Sequence, residues 1–346
     1  MQVTGSVPRW RDAQTQEQAM ADKADVVLIG VPKKLIVNGL SGPFNLHVLP
    51  KGGDAEAIIA KVGANIRAAA VTGAPDTMRA DVMARLPKLE IISSFGVGYD
   101  NVDVKYAANH KIVVCNTPEV LNEEVADTAL GLLLCTVREF PQAERFLRAG
   151  KWVEKGQYPL SHATLRDRTV GMVGLGRIGK AIARRLDGFG VPVVYHSRNP
   201  QPDTAYKHYP KMLDMARDVD TLILITPGGP STKHLVNAEV LEALGPRGIV
   251  INMSRGTVVD DAALIKALKE KKIYSAGLDV FVNEPEVPKE YLEMDNIVLF
   301  PHLGSATVFT RQKMEQLVVD NLLAWAAGKP LLTPVPETPW PPQKRA

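Results

Sequence analysis

The sequence predicts an α/β protein of two doubly wound, parallel-sheet domains. Three observations carry that prediction. Short apolar runs, continuous rather than alternating, recur along the chain, and strands of that composition are covered on both faces. Helix-length segments separate the runs, which implies parallel pairing through right-handed crossovers. The runs form two series, one on each side of a stretch with helical spacing at residues 122–152, so two domains are expected, in keeping with a length of 346 residues.

The first series is "DVVLIGV" (25–31), "NLHVLP" (45–50), "IRAAAV" (66–71), "LEIISSFG" (89–96) and "KIVVCN" (111–116). The second is "TVGMVG" (169–174), "PVVYHS" (192–197), "TLILIT" (221–226), "GIVINMS" (248–254), "YSAGLDV" (274–280) and "NIVLFP" (296–301). Six strands is the number in a complete dinucleotide-binding sheet. Between the series, Val125, Ala129, Leu132, Leu133 and Val137 keep helical spacing, so a long helix is expected to carry the chain from one domain to the other. A second long amphipathic helix over 306–328 is expected to cross back. That leaves one domain inserted in the other.

The most informative stretch is "VGMVGLGRIGKAIARRLDGFGVPVVYHSRN" (170–199). Gly174 permits a tight turn out of a strand, Gly176 lets backbone approach a pyrophosphate, and Gly179 lets helix and strand pack closely. The helix N-terminus then faces the anion. A glycine triplet alone is weak evidence. Here it follows a strand, opens a helix and leads into a second strand, which is the confirming context.

An NAD site of this kind ends its second strand with Asp or Glu, which accepts hydrogen bonds from the ribose hydroxyls and repels a 2′-phosphate. Ser197 stands there, 21 positions after Gly176, followed by Arg198. Serine is neutral and can donate, and the guanidinium fork suits phosphate. NADPH is therefore expected over NADH. NADH binding stays open if Arg198 is only a solvated loop residue. Arg177 is expected to face the pyrophosphate or the same 2′-phosphate.

Ligands of open α/β sheets bind beyond the carboxyl ends of the strands. Arg255 follows the fourth strand of the second series, Asp279 ends the fifth with Glu284 close behind, and His302 ends the sixth. Each alone has a bland reading as a solvated, turn or structural residue. Together they put a guanidinium, carboxylates and an imidazole on the glycine-loop side.

Several blocks carry a resemblance: "SFGVGYDNVD" (94–103), "CNTPEVLNEEVADTALGLLL" (115–134), "VGLGRIG" (173–179), "ITPGGPSTKHLVN" (225–237), "INMSRGTVVDDAALIKALK" (251–269), "GLDVFVNEPE" (277–286) and "PHLGSAT" (301–307). Over roughly residues 25–336 the chain resembles the D-isomer-specific 2-hydroxyacid dehydrogenases. Within that family it looks most like the NADPH-dependent glyoxylate/hydroxypyruvate reductases.

The resemblance implies a Rossmann-like dinucleotide-binding domain, residues 122–304. It would be inserted in a flavodoxin-like substrate (catalytic) domain, residues 1–121 and 305–346. It implies that His302 is the general acid in reduction, that Glu284 orients the imidazole and favours its protonated form, and that Arg255 grips the carboxylate and polarises the keto oxygen. Val97 and Gly98 would offer N–H groups to the carboxylate, with the substrate lying in a cleft between the domains. Cofactor contacts are implied for Gly174, Gly176, Arg177, Ile178, Gly179, Ser197, Arg198, Thr226, Pro227, Met253, Asp279 and Gly304, Asp279 near the nicotinamide amide. A homodimer is also implied, with Trp152 as a candidate contact.

Composition narrows the classes. The 41 basic residues are scattered among 38 acidic ones for a net charge of +3, so nucleic-acid binding is not suggested. No charge-free apolar stretch reaches membrane-spanning length. Cys115 and Cys135 lack CxxC spacing and read as buried thiols of a reducing compartment, the cytoplasm. The first residues read as neither a signal nor a transit peptide. His162, His234 and His302 are far apart, so no metal is expected. The end, "TPVPETPWPPQKRA", is expected to be extended. Formate and phosphite dehydrogenases on the same frame, and corepressor-like dinucleotide sensors, are the rival readings. Assay of the candidate substrates separates them.

Overall fold

The computed structural model describes residues 23–49, 54–73 and 77–341. The expectations about the first 22 residues and the last five lie outside them. The chain divides into two compact units, residues up to Pro118 with those from Gln312 onward, and Glu119–Arg311.

The first unit holds a five-stranded parallel sheet: β1 (Asp25–Gly30), β2 (Asn45–Leu49), β3 (Ile66–Thr72), β4 (Ile91–Ser94) and β5 (Val113–Cys115). Its order is β2-β1-β3-β4-β5, the flavodoxin-like winding. Val26, Leu28, Ala68, Ala70 and Ile91 face one buried layer, and Val27, Ala69, Val71 and Ile92 face the other. This double coverage is what removes alternation from the sequence. Residues 333–335 of the Pro-rich end run along β5, with Val335 N–H donating to Val114 O at 2.8 Å and Asn116 N–H to Thr333 O at 3.2 Å, before a turn at Pro336–Glu337.

The second unit holds seven parallel strands, not six: β6 (Val170–Val173), β7 (Val193–His196), β8 (Lys207–Tyr209), β9 (Thr221–Leu224), β10 (Ile249–Asn252), β11 (Ser275–Leu278) and β12 (Ile297–Leu299). The order is β12-β11-β10-β9-β6-β7-β8, a Rossmann winding with one further strand at its edge. The six apolar runs of the second series correspond to β6, β7, β9, β10, β11 and β12, and β8 has no run of its own. β8 is a three-residue edge strand, exposed at Lys207 and buried only at Tyr209, so it has no apolar run to show.

The segment 122–155 holds the expected long helix and two shorter ones. The first, Asn122–Arg138, ends where Glu139 turns left-handed at φ 56°, and Pro141 sits in the first turn of the next, Phe140–Arg148, where its missing N–H is harmless. A short third helix is Lys151–Lys155. The long helix does not carry the chain between units, because the division falls before it, after Pro118. The helix Val308–Ala326 does straddle the later division at Arg311. It buries Thr310, Met314, Val318, Val319, Leu322 and Trp325, a one-sided stripe at helical spacing. Among the described residues no helix is long and apolar enough to cross a membrane.

Candidate active site

The strands of the second unit end in register. Val173 pairs with His196 and Leu224, Asn252 with Leu224 and Leu278, and Leu278 with Leu299. One carboxyl edge therefore runs from β7 to β12. Within three residues of these strand ends stand Ser197, Gly174, Thr226, Arg255, Asp279 and His302. Strand order reverses between β6 and β9, and this is the crevice where such sheets hold dinucleotides.

Each loop glycine has its own reason. Gly174 has φ +98°, and a Cβ there would stand 2.9 Å from Ile225 O. A Cβ on Gly179 would stand 2.6 Å from Gly174 O, where helix meets loop. At Gly176 a Cβ would meet nothing within 4 Å, so the fold itself does not require glycine there. Gly176 caps the helix Arg177–Gly188 with no side-chain hydrogen bond and no acid in the first turn. The first N–H groups, that of Ile178 among them, point out of the helix, an open anion pole. Beside it the Thr226 hydroxyl oxygen is buried without a partner, and Pro227 O is engaged by the Thr232 hydroxyl at 2.8 Å. An open glycine face, a free helix pole and an orphaned hydroxyl fit a dinucleotide pyrophosphate.

Arg177, expected to face the pyrophosphate or the 2′-phosphate, lies exposed at the start of this helix. Its guanidinium pairs with Glu119 at the surface. No acid follows β7. The Ser197 hydroxyl donates to Asn199 O at 2.6 Å, so its proton is directed into the turn. Arg198 is exposed and has no partner among the described residues.

After β10, the Ser254 N–H and hydroxyl donate to Asn252 Oδ1 at 3.0 and 2.7 Å, and Asn252 Nδ2 donates to Arg255 O at 3.0 Å. Arg255 Nη1 donates to Ser254 O at 2.8 Å. Gly256 is buried where a Cβ would fall 2.1 Å from Phe281 C, which brings the β10 and β11 loops into backbone contact. Sequence reasoning passed over Asn252 and Gly256. The available signal was an Asn three residues before Arg255 and a Gly directly after it.

Asp279 is buried, and its two oxygens accept the N–H groups of Leu303 and Gly304 at 2.6 and 2.9 Å. Burial is the main reason its carboxyl lies above the ordinary range, with the charge of Glu284 adding to it and the two N–H bonds and His302 opposing. Gly304 is close to Asp279 and to the buried Met253. Asp279 thus anchors the loop that carries His302, a residue at φ 54°. His302 Nδ1 reaches Glu284 Oε2 at 2.7 Å.

In the first unit, Asn116 Nδ2 donates to Val97 O at 2.8 Å and Gly96 N–H to the Thr117 hydroxyl at 3.0 Å. The N–H groups of Val97 and Gly98 have no partner among the described residues.

Fold and site together define a dinucleotide-binding α/β frame bearing an arginine and a carboxylate-tethered histidine on one strand edge. The profile of the D-isomer specific 2-hydroxyacid dehydrogenase, NAD binding domain, matches residues 130–304. The chain is 47% identical over 256 residues to glyoxylate/hydroxypyruvate reductase A of Arabidopsis thaliana, covering 74% of this chain and 81% of that protein. It is 38% identical over 316 residues to 2-ketogluconate reductase of Gluconobacter oxydans, covering 91% and 100%. An NADPH-dependent glyoxylate/hydroxypyruvate reductase from Sinorhizobium meliloti, crystallised with NADP and malonate, superposes with a TM-score of 0.88 at 49% identity, over 94% of this chain and 100% of that one. The chain belongs to the D-isomer-specific 2-hydroxyacid dehydrogenases.

Proposed function

We propose that this chain reduces small 2-keto acids, glyoxylate and hydroxypyruvate foremost, to D-2-hydroxy acids with NADPH. The observation that carries the reading is the convergence on one strand edge of the Arg255 loop, the Glu284–His302 pair and a β7 terminus bearing Arg198 instead of an acid. Similarity to reductases by name, including one solved with NADP, supports it, and weighs against the phosphite and corepressor-like alternatives.

NADPH supplies the hydride when bound. Gly174, Gly176, Ile178 and Gly179 would hold its pyrophosphate, Arg198 its 2′-phosphate, and Thr226, Pro227, Met253, Asp279 and Gly304 would line the rest of its path. Arg255 binds the substrate carboxylate and polarises the keto oxygen as charge develops there. His302 has its Nδ1 on Glu284, which leaves Nε2 to deliver the proton. Glu284 fixes the orientation of the ring. The N–H groups of Val97 and Gly98 are the backbone donors for the carboxylate.

We also assign the chain to a homodimer. The helix Phe140–Arg148 buries none of its residues, and Phe140, Leu147, Trp152, Val153 and Leu160 are exposed in and beside it. An apolar cluster of that size calls for cover, and a second copy supplies it by two-fold symmetry. Light scattering should give twice the chain mass, and V153D should halve it. The free thiols Cys115 and Cys135 suit the cytoplasm.

The deciding experiment is a panel of 2-keto acids assayed with NADPH and with NADH. Fast NADPH-dependent turnover of glyoxylate and hydroxypyruvate is expected. Absence of turnover on every 2-keto acid would overturn the proposal.

A further inference from the structure

β8 passes beside the turn that would select the cofactor. Its middle residue, His208, places Nε2 2.9 Å from Ser197 O. A carbonyl only accepts, so this nitrogen carries the ring proton. The His208 ring also lies against the buried Tyr195, with centroids 5.0 Å apart. The Tyr195 hydroxyl accepts Gln201 N–H at 2.8 Å. On the next rung His196 Nδ1 donates to Tyr209 O at 2.9 Å, which ties β7 to β8 a second time.

The turn over 197–201 is thus held at three points: the Ser197 carbonyl, the Ser197 hydroxyl on Asn199 O, and the Gln201 N–H. Within it Arg198 is exposed and has no partner among the described residues. A guanidinium left free on a braced backbone binds an anion at less entropic cost than one on a loose loop.

We propose that His208 is a positioning residue for cofactor choice: it clamps the Ser197 carbonyl and so presents Arg198 to a 2′-phosphate. The inference rests on the NADPH reading above. His208 acts through the turn, and its contribution is confined to the cofactor that carries the extra phosphate.

The test is direct binding, by fluorescence titration of the full chain with NADPH and with NADH in the absence of a keto acid. H208A should weaken NADPH binding about fivefold, the effect of one lost hydrogen bond, and leave NADH binding unchanged. H208Q, whose amide N–H reaches the same carbonyl, should restore most of the loss. In an R198A background H208A should cost nothing further, because the two act as one unit. Equal weakening of both cofactors, or of neither, would overturn the proposal. A native chain that binds NADH as tightly as NADPH would instead refute the NADPH reading, and the inference would fall with it.

Discussion

His302 Nδ1 stands 2.7 Å from Glu284 Oε2, and the other oxygen of that carboxylate accepts Phe281 N–H at 3.0 Å. Burial opposes the charge on Glu284. The hydrogen bond and charge of His302, the Phe281 N–H and the charge of Arg255 outweigh it, so the carboxyl titrates below its ordinary range. A carboxyl depressed by folding adds stability that is fully present above its unfolded value, about 4.3. That stability is lost as the pH falls through the folded value. H302A removes the principal favourable partner. The stability gap between the native chain and H302A, from denaturant melts, should therefore be widest near neutral pH and narrow on acidification. A gap that does not change with pH would show that no charge coupling links the pair. Turnover of H302A should fall about a hundredfold or more, with NADPH binding retained.

Gly256 predicts a linked loss of stability and activity. A Cβ there would lie 2.1 Å from Phe281 C and 2.2 Å from Val282 N, and backbone cannot swing aside. G256A must part the β10 and β11 loops. One loop carries Arg255 and the other holds Glu284 through Phe281 N–H. A cost of about 1–3 kcal/mol is expected from overpacking, and kcat/KM should fall about a hundredfold from misplacement. A lowered melting temperature with unchanged kinetics would separate the contact from the site.

The sequence made the strands buried on both faces readable. β6 and β9 are visible as "TVGMVG" and "TLILIT" because every residue of each strand is buried. β8 was invisible because an edge strand buries one residue in three, and with it went the histidine that braces the cofactor turn. Glycine spacing located the dinucleotide loop because close approach forbids a side chain at Gly174 and Gly179. Arg177 illustrates the limit. Its surface pairing with Glu119, a residue at a positive φ of 66°, is one that no periodicity reveals. Asp279 is similar: its bonds to Leu303 and Gly304 join two strand ends and exist only once the sheet has formed.

Cofactor preference should be set at the end of β7. R198A removes a charge-assisted contact to phosphate, about 1.5–3 kcal/mol, or roughly tenfold to a hundredfold in NADPH affinity, with NADH affinity unchanged. S197D restores the acid at the strand end, repels a 2′-phosphate and should turn the preference toward NADH. The check is kcat/KM for both cofactors at saturating keto acid. An unaltered NADPH to NADH ratio in both variants would place the selection elsewhere.

Gly176 and Gly179 stand three residues apart and should respond oppositely to one added methyl. At Gly179 the Cβ would meet Gly174 O at 2.6 Å, so G179A must push the helix off the glycine loop and lower the melting temperature. At Gly176 the Cβ would meet nothing within 4 Å, and the backbone, at φ −76°, suits alanine. G176A should therefore fold and melt like the native chain. Its methyl would still project into the space where backbone must approach the pyrophosphate, so both NADPH and NADH should bind more weakly, in equal proportion. That pattern separates a glycine required by the ligand from one required by the fold. Unaltered affinity for both cofactors in G176A would show that the pyrophosphate lies off this loop.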